Sequence, residues 1–142
     1  MAKTYFGSTL TSGSNTLSEA ADGGFVVLTQ TKVINQNSTN AVSVTFGVPA
    51  GSQLIEVVSD VLTAFNSGTS ATLSVGTAAA GTQYVGSVDA KTAGRATPTL
   101  SAAQLAAMAD VTTNTSVVAT VTPVGATSAG QVRVTLVYAQ KL

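Results

Sequence analysis

Gly130-Gln131-Val132-Arg133-Val134-Thr135-Leu136-Val137-Tyr138-Ala139-Gln140 is the stretch that decides the fold class of this chain. Val132, Val134, Leu136 and Tyr138 fall on one side of a two-residue period, and Arg133, Thr135 and Val137 fall on the other. That is the pattern of a strand with one buried face. The alternation recurs at Val42, Val44, Phe46 and Val48 against Ser43, Thr45 and Gly47. It stops at Pro49-Ala50-Gly51, because proline has no N–H to give to a ladder. A third run, Ser52 to Phe65, carries Leu54, Ile55, Val57, Val58, Val61 and Leu62, too apolar on both sides for plain alternation. It predicts a strand that contains a bulge or is buried on both faces.

After the third run, Asn66-Ser67-Gly68-Thr69 predicts a hairpin turn, with Ala71 to Val75 as its returning strand. Further strands are expected at Phe25 to Ile34, Gln83 to Val88 and Ser116 to Val124, and one more at Tyr5 to Leu10. Two short helical turns are expected where a hydroxyl is followed three residues later by Glu or Gln. These are Thr16-Leu17-Ser18-Glu19, ended by Gly23-Gly24, and Ser101-Ala102-Ala103-Gln104, leading into Leu105 to Met108. The stretches Gly76 to Gly81 and Lys91 to Pro98 read as exposed, flexible loops. Many short strands with Gly, Ser, Asn and Thr turns predict an all-β fold, a single-domain β-sandwich of jelly-roll type. Residues 1–142 make one domain, with residues 1–22 expected as an extended N-terminal arm.

Composition points the same way. The chain has 142 residues, of which 44% are hydrophobic and only 8% charged, against about 25% charged in an ordinary soluble domain. Its 23 Thr and 15 Ser stand where Lys and Glu would normally be. Disorder requires high charge and low hydrophobicity, and a helix bundle requires charged surface positions, so both are excluded. β-Branched Val and Thr suit a pleated sheet. Six basic and six acidic residues give a formal net charge of zero, which does little to keep copies apart. The basic residues Lys3, Lys32, Lys91, Arg95, Arg133 and Lys141 are scattered singly, so no nucleic-acid partner is expected. No apolar run reaches the ~18 residues of a membrane span, so no membrane partner is expected. The amino-terminal residues lack the apolar core of a secretory signal, which predicts synthesis in a cytoplasm.

The chemistry available is narrow. The chain contains no His and no Cys, which removes the Ser-His-Asp triad, the Cys-His dyad, ordinary zinc sites and disulfides. No Ser-x-x-Lys, Walker A loop, G-x-G-x-x-G or EF-hand loop occurs. Glu56 and Asp60 would share one strand face about 13 Å apart, beyond the spacing of glycosidase carboxylate pairs, and there is no Trp to stack a sugar. Asp22 and Asp89 read as turn residues bonding their own backbone rather than as cation ligands. Asn37 and Asn114 lie in glycosylation-type triplets and read as loop polar residues. No enzymatic activity, cofactor or metal is expected. Most aromatics lie in strand patterns and read as core. Lys3, Tyr5 and Phe6, near the start of an arm running from Lys3 to Leu17, are the candidate partner-binding residues.

Two segments carry a resemblance. Val48 to Ile55, followed by Val61-Leu62-Thr63-Ala64-Phe65-Asn66-Ser67-Gly68-Thr69-Ser70-Ala71-Thr72-Leu73-Ser74-Val75-Gly76-Thr77, resembles a pattern in small structural proteins of tailed bacteriophages, as does the closing Val132-Arg133-Val134-Thr135-Leu136-Val137-Tyr138. Residues 42–77 carry it best. The first 40 residues and the 78–115 region have no counterpart in it. The resemblance implies a virion protein at the phage head surface, of the capsid decoration or cement kind. Its implied partners are the major capsid protein and further copies of itself, as a homo-oligomer and commonly a trimer. It carries over no catalytic residue. A neck, tail or fibre component is the alternative within that class, and a carbohydrate-binding β-sandwich module the alternative outside it.

Overall fold

In the computed structural model, which describes residues 25–141 together with Thr11–Ser12 and Asn15–Thr16, the chain runs as one long antiparallel hairpin rolled on itself. The strands of the roll are β3 (Phe25–Asn35), β4 (Val42–Val48), β5 (Gln53–Thr63), β6 (Ser70–Gly76), β7 (Val85–Asp89), β8 (Gly94–Ala96), β9 (Thr115–Val124) and β10 (Gln131–Lys141). One helix, α1 (Ala102–Ala109), stands between β8 and β9. Two minimal strands, β1 (Thr11–Ser12) and β2 (Asn15–Thr16), pair with each other. β3 pairs with β10, β4 with β9, β5 with β8 and β6 with β7, first strand with last and inward to the middle. Then β10 also pairs with β5, and β9 with β6, which wraps the hairpin into two four-stranded sheets, β3-β10-β5-β8 and β4-β9-β6-β7. This is the jelly-roll wrapping expected from the strand pattern.

The alternating runs place their apolar side as predicted. Phe46, Val48, Val117, Val121, Leu73 and Val75 from one sheet meet Ile34, Leu54, Val57, Val61, Val132, Val134, Leu136 and Tyr138 from the other in a single core. Most are β-branched and small; four rings in the core, Phe46, Phe65, Tyr84 and Tyr138, supply bulk. Each large side chain so buried contributes about 1.5–3 kcal/mol. The Ser52-to-Phe65 run resolves into a strand with two bulges. Opposite β10, the register steps from Glu56 to Leu54 and from Val61 to Thr63, which leaves Ile55 and Leu62 as the extra residues. Both are exposed, while Leu54, Val57, Ser59 and Val61 stay inside. The bulges thus absorb the excess apolar residues without shifting the buried face.

Pro49 ends β4, and Gly51 turns the chain at φ +73, the left-handed region that glycine enters freely. The Gly51 amide donates to the Val111 carbonyl at 2.6 Å, fastening the turn to the segment after α1. That helix starts as its sequence predicts. The Ser101 hydroxyl accepts from the Gln104 amide at 3.3 Å, and the Gln104 side chain accepts from the Ser101 amide at 2.9 Å. Met108 is the residue of α1 that is buried.

Three expectations need correction. Asn66 to Thr69 is not a hairpin turn, because β5 and β6 lie in different sheets. The segment crosses between the layers alongside residues 124–129. Its amides at Asn66, Gly68 and Thr69 donate to the carbonyls of Ala129, Ala126 and Val124, and the Asn66 side chain accepts from the Ser128 and Ala129 amides. Those bonds satisfy the crossing backbone that a tight turn would have satisfied internally. The Lys91-to-Pro98 stretch is not all loop: it contains β8, three residues long, held on β5. Within the Gly76-to-Gly81 stretch, Gly76 closes β6 and is buried, while Thr77 to Ala80 are exposed yet tied down by Ala80 N donating to Thr120 Oγ1 and Thr77 N to Gln83 Oε1. Thr16, the expected cap of the first helical turn, lies in β2; the rest of that motif lies outside the described residues, as does the expected strand at Tyr5 to Leu10.

Candidate functional site

The strand that departs furthest from its sequence pattern is β3. Phe25-Val26-Val27-Leu28 is an unbroken apolar run, the text of a strand covered on both faces. In the structure the run is open on both. Phe25 and Val27 are 57% and 59% exposed, and Val26, Leu28 and Val33 are all above a third. β3 pairs with β10 residue for residue from Asn35–Gln131 to Phe25–Lys141, with no bulge. It forms the outermost strand of its sheet, so its second edge has no partner strand among the described residues. Along its length only Ile34 is buried.

Two polar residues of β3 point inward and do a separate job. Lys32 Nζ donates to the Thr45 carbonyl at 2.6 Å and lies 5.7 Å from the centre of the Phe46 ring. Gln30 Nε2 donates to the Gly47 carbonyl at 2.7 Å and to the Tyr138 hydroxyl at 3.1 Å. Thr45 and Gly47 are alternate residues of β4, the outermost strand of the other sheet. Their carbonyls are the ones an antiparallel strand turns away from its neighbour. Lys32 and Gln30 therefore cover the free edge of β4, and the ring beneath Lys32 adds a cation–π contact. No such cover lies over β3 among the described residues.

On the outer face of the same sheet, Asp60 sits between two guanidinium groups. Arg95 Nε reaches Asp60 Oδ1 at 2.8 Å, and Arg133 Nη2 reaches Asp60 Oδ2 at 2.8 Å. Hydrogen bonds from Arg95 first, and then from Arg133, lower its pKa to about 2. The clamp ties β8, β5 and β10 together and occupies the carboxylate that the sequence offered beside Glu56. Asp89 accepts from the Lys91 amide at 3.2 Å, and that bond, with help from Thr92, lowers its pKa. It is a turn residue bonding its own backbone. Among the described residues no three of His, Cys, Asp and Glu lie together. Surface depressions such as the one lined by Thr31, Val58, Asp60, Arg95, Arg133 and Thr135 are open to solvent.

Of the aromatics expected in the core, Phe46, Phe65, Tyr84 and Tyr138 are buried, and Phe25 is the exception. Asn37 and Asn114 are exposed loop residues, and Asn114 Oδ1 accepts from the Ala50 amide. Lys3, Tyr5 and Phe6, the candidate partner contacts, lie outside the described residues. Sequence reasoning missed the β3 edge, although a signal was present: a β-strand text with four successive apolar residues and no alternation. No described helix is long and apolar enough to cross a membrane. Comparison with protein families, curated proteins and solved structures finds no match to this chain.

Proposed function

We propose that this chain is a non-enzymatic virion structural protein, a capsid decoration subunit that binds the outer surface of a phage head as a homo-oligomer and stabilises it. The observation that carries the reading is the long apolar edge of β3, exposed on a jelly roll whose core is otherwise closed. An exposed apolar surface of that kind marks a contact with another macromolecule. Zero net charge and the near absence of Lys and Glu lower the cost of packing copies close together. The resemblance of residues 42–77 and of the closing strand to tailed-phage structural proteins directs the reading toward a virion. The jelly roll agrees as an analogy of fold only, since viral capsid and lectin domains share it. The mechanism is mechanical: each subunit adds modest buried area between capsid proteins, and repetition over symmetric sites multiplies it by avidity.

The test is the copy number of this chain relative to the major capsid protein, measured by quantitative mass spectrometry on purified particles. A ratio of the same order as the capsid protein is expected. A small fraction of that ratio moves the chain to the neck, tail or a fibre. Complete absence from particles overturns the virion reading and moves a glycan-binding screen to the front.

A further inference from the structure

We propose that β3 pairs with itself: two copies of this chain join antiparallel through their β3 edges. A two-fold axis then continues the four-stranded sheet β3-β10-β5-β8 of one copy into that of the other.

The two sheets present four outermost strands: β3, β8, β4 and β7. β8 has three residues and β7 five, too short for a long ladder. The edge of β4 is covered by Lys32 and Gln30. β3 has eleven residues, without Pro, Gly or a bulge. Natural sheets guard their edges with shortness, charge, proline or bulges, and an edge with none of these is a template for another strand. The one charged side chain of β3, Lys32, is spent on its neighbour. A contact between unlike edges of two copies would need a second long, open edge, and the described residues hold none. The contact is therefore isologous, and it closes at two copies. This differs from the trimer that the family resemblance implies.

The strand is self-complementary. With Thr29 on the two-fold axis, Phe25 of one copy lies opposite Val33 of the other, Val27 opposite Thr31, and Thr29 opposite Thr29, all on the outer face. On the inner face Val26 meets Lys32, and Leu28 meets Gln30. No like charges meet, and aromatic with β-branched and Thr with Thr are among the favourable cross-strand pairs. The register sets a cross-strand neighbour beside each of the five exposed apolar residues of β3. Centring on Gln30 instead would set Phe25 against Asn35. Edge pairing covers the flanks of these five side chains, and the backbone ladder along an eleven-residue strand supplies the rest of the contact.

Pairing is measured on the purified full chain with no particle present, so this inference and the decoration reading fail separately. In size-exclusion chromatography with light scattering, the expected mass is twice the 14.1 kDa of one chain. Val27→Lys with Thr29→Lys, both at exposed positions, puts two ammonium groups face to face on the axis and should weaken association roughly 100-fold, with circular dichroism and melting of the monomer intact. Because the chain has no cysteine, Thr29→Cys reports the register directly: mild oxidation should link two copies, whereas Thr39→Cys on an exposed loop should not link. A monomeric or trimeric wild type overturns the proposal. So does a dimer that survives the lysine pair, or a Cys at position 29 that fails to cross-link, as it would if residues 1–22 occupied that edge.

Discussion

Replacing Gly130 with alanine adds a single methyl group at the most crowded point of the layer crossing. An ideal Cβ there would lie 2.3 Å from Phe65 Cδ1, 2.4 Å from Cγ and 2.8 Å from Cε1. The ring must retreat by roughly 1 Å to restore van der Waals separations of ~3.5 Å. It has nowhere to go, since Phe65 is 2% exposed and its amide is held by the Ala90 carbonyl at 3.1 Å. The backbone at Gly130 is held as well. Its carbonyl accepts from the Gln36 amide at 2.9 Å, and the adjacent Ala129 carbonyl accepts from the Asn66 amide at 3.1 Å. Overpacking a well-filled core costs about 1–3 kcal/mol, and pinning on both sides argues for the upper end. About 3 kcal/mol corresponds to a loss of roughly 10 °C in Tm for a chain of this size. The assay is urea and thermal unfolding at fixed protein concentration, because self-association would make Tm concentration-dependent. Gly47→Ala is the control: its Cβ would meet nothing within 4 Å, so it should change stability by less than ~0.5 kcal/mol or raise it. Gly130→Ala combined with Phe65→Leu should be less destabilised than the two single changes added together, by about 1 kcal/mol or more. A Gly130→Ala protein as stable as wild type, or strict additivity with Phe65→Leu, would refute the account of this crossing.

Removing the hydroxyl of the α1 cap by Ser101→Ala should cost about 1 kcal/mol in urea unfolding, and Ser101→Thr should retain most of it. Asp60 makes a prediction about acid. Its folded pKa, held at about 2, lies below the ordinary value of 3.8, so its contribution is present above pH 3.8 and is lost as pH falls through about 2. The Tm difference between wild type and Asp60→Asn should be largest near pH 5 and shrink steadily toward pH 2, and high salt should reduce it because both arginines are exposed. A difference that stays constant from pH 5 to pH 2 would show that the clamp is not electrostatic.

Much of this protein is legible along the chain because a two-residue period is a local property. Val42 to Val48 and Gln131 to Lys141 form strands within a residue of where alternation places them, since only one register buries Phe46 or Leu136. The capping box at Ser101 and Gln104 is equally local and holds. Sandwich architecture follows from strand number and turn chemistry alone. What resisted reading depends on partners distant in sequence. Asn66-Ser67-Gly68-Thr69 has the composition of a hairpin turn, yet residues 124–129 supply the hydrogen bonds that let it cross between sheets. Gly94 to Ala96 has no strand text and becomes β8 because β5 offers it a ladder and Asp60 holds Arg95.

The candidate surface shows the division most plainly. Phe25-Val26-Val27-Leu28 states that this strand is apolar on both faces, and composition adds that little charge is available to shield it. Neither says whether those faces end up covered. Covering depends on where β3 falls in the roll, and pairing the first strand with the last puts it at the rim. There β10 is its one neighbouring strand among the described residues, and its inward Lys32 and Gln30 are spent on the neighbouring edge. Alternation and composition, both read along the chain, suffice for a β-sandwich poor in charge and without histidine or cysteine chemistry. The tertiary structure alone decided which apolar strand faces solvent, because exposure is set by neighbours that the chain brings together only on folding.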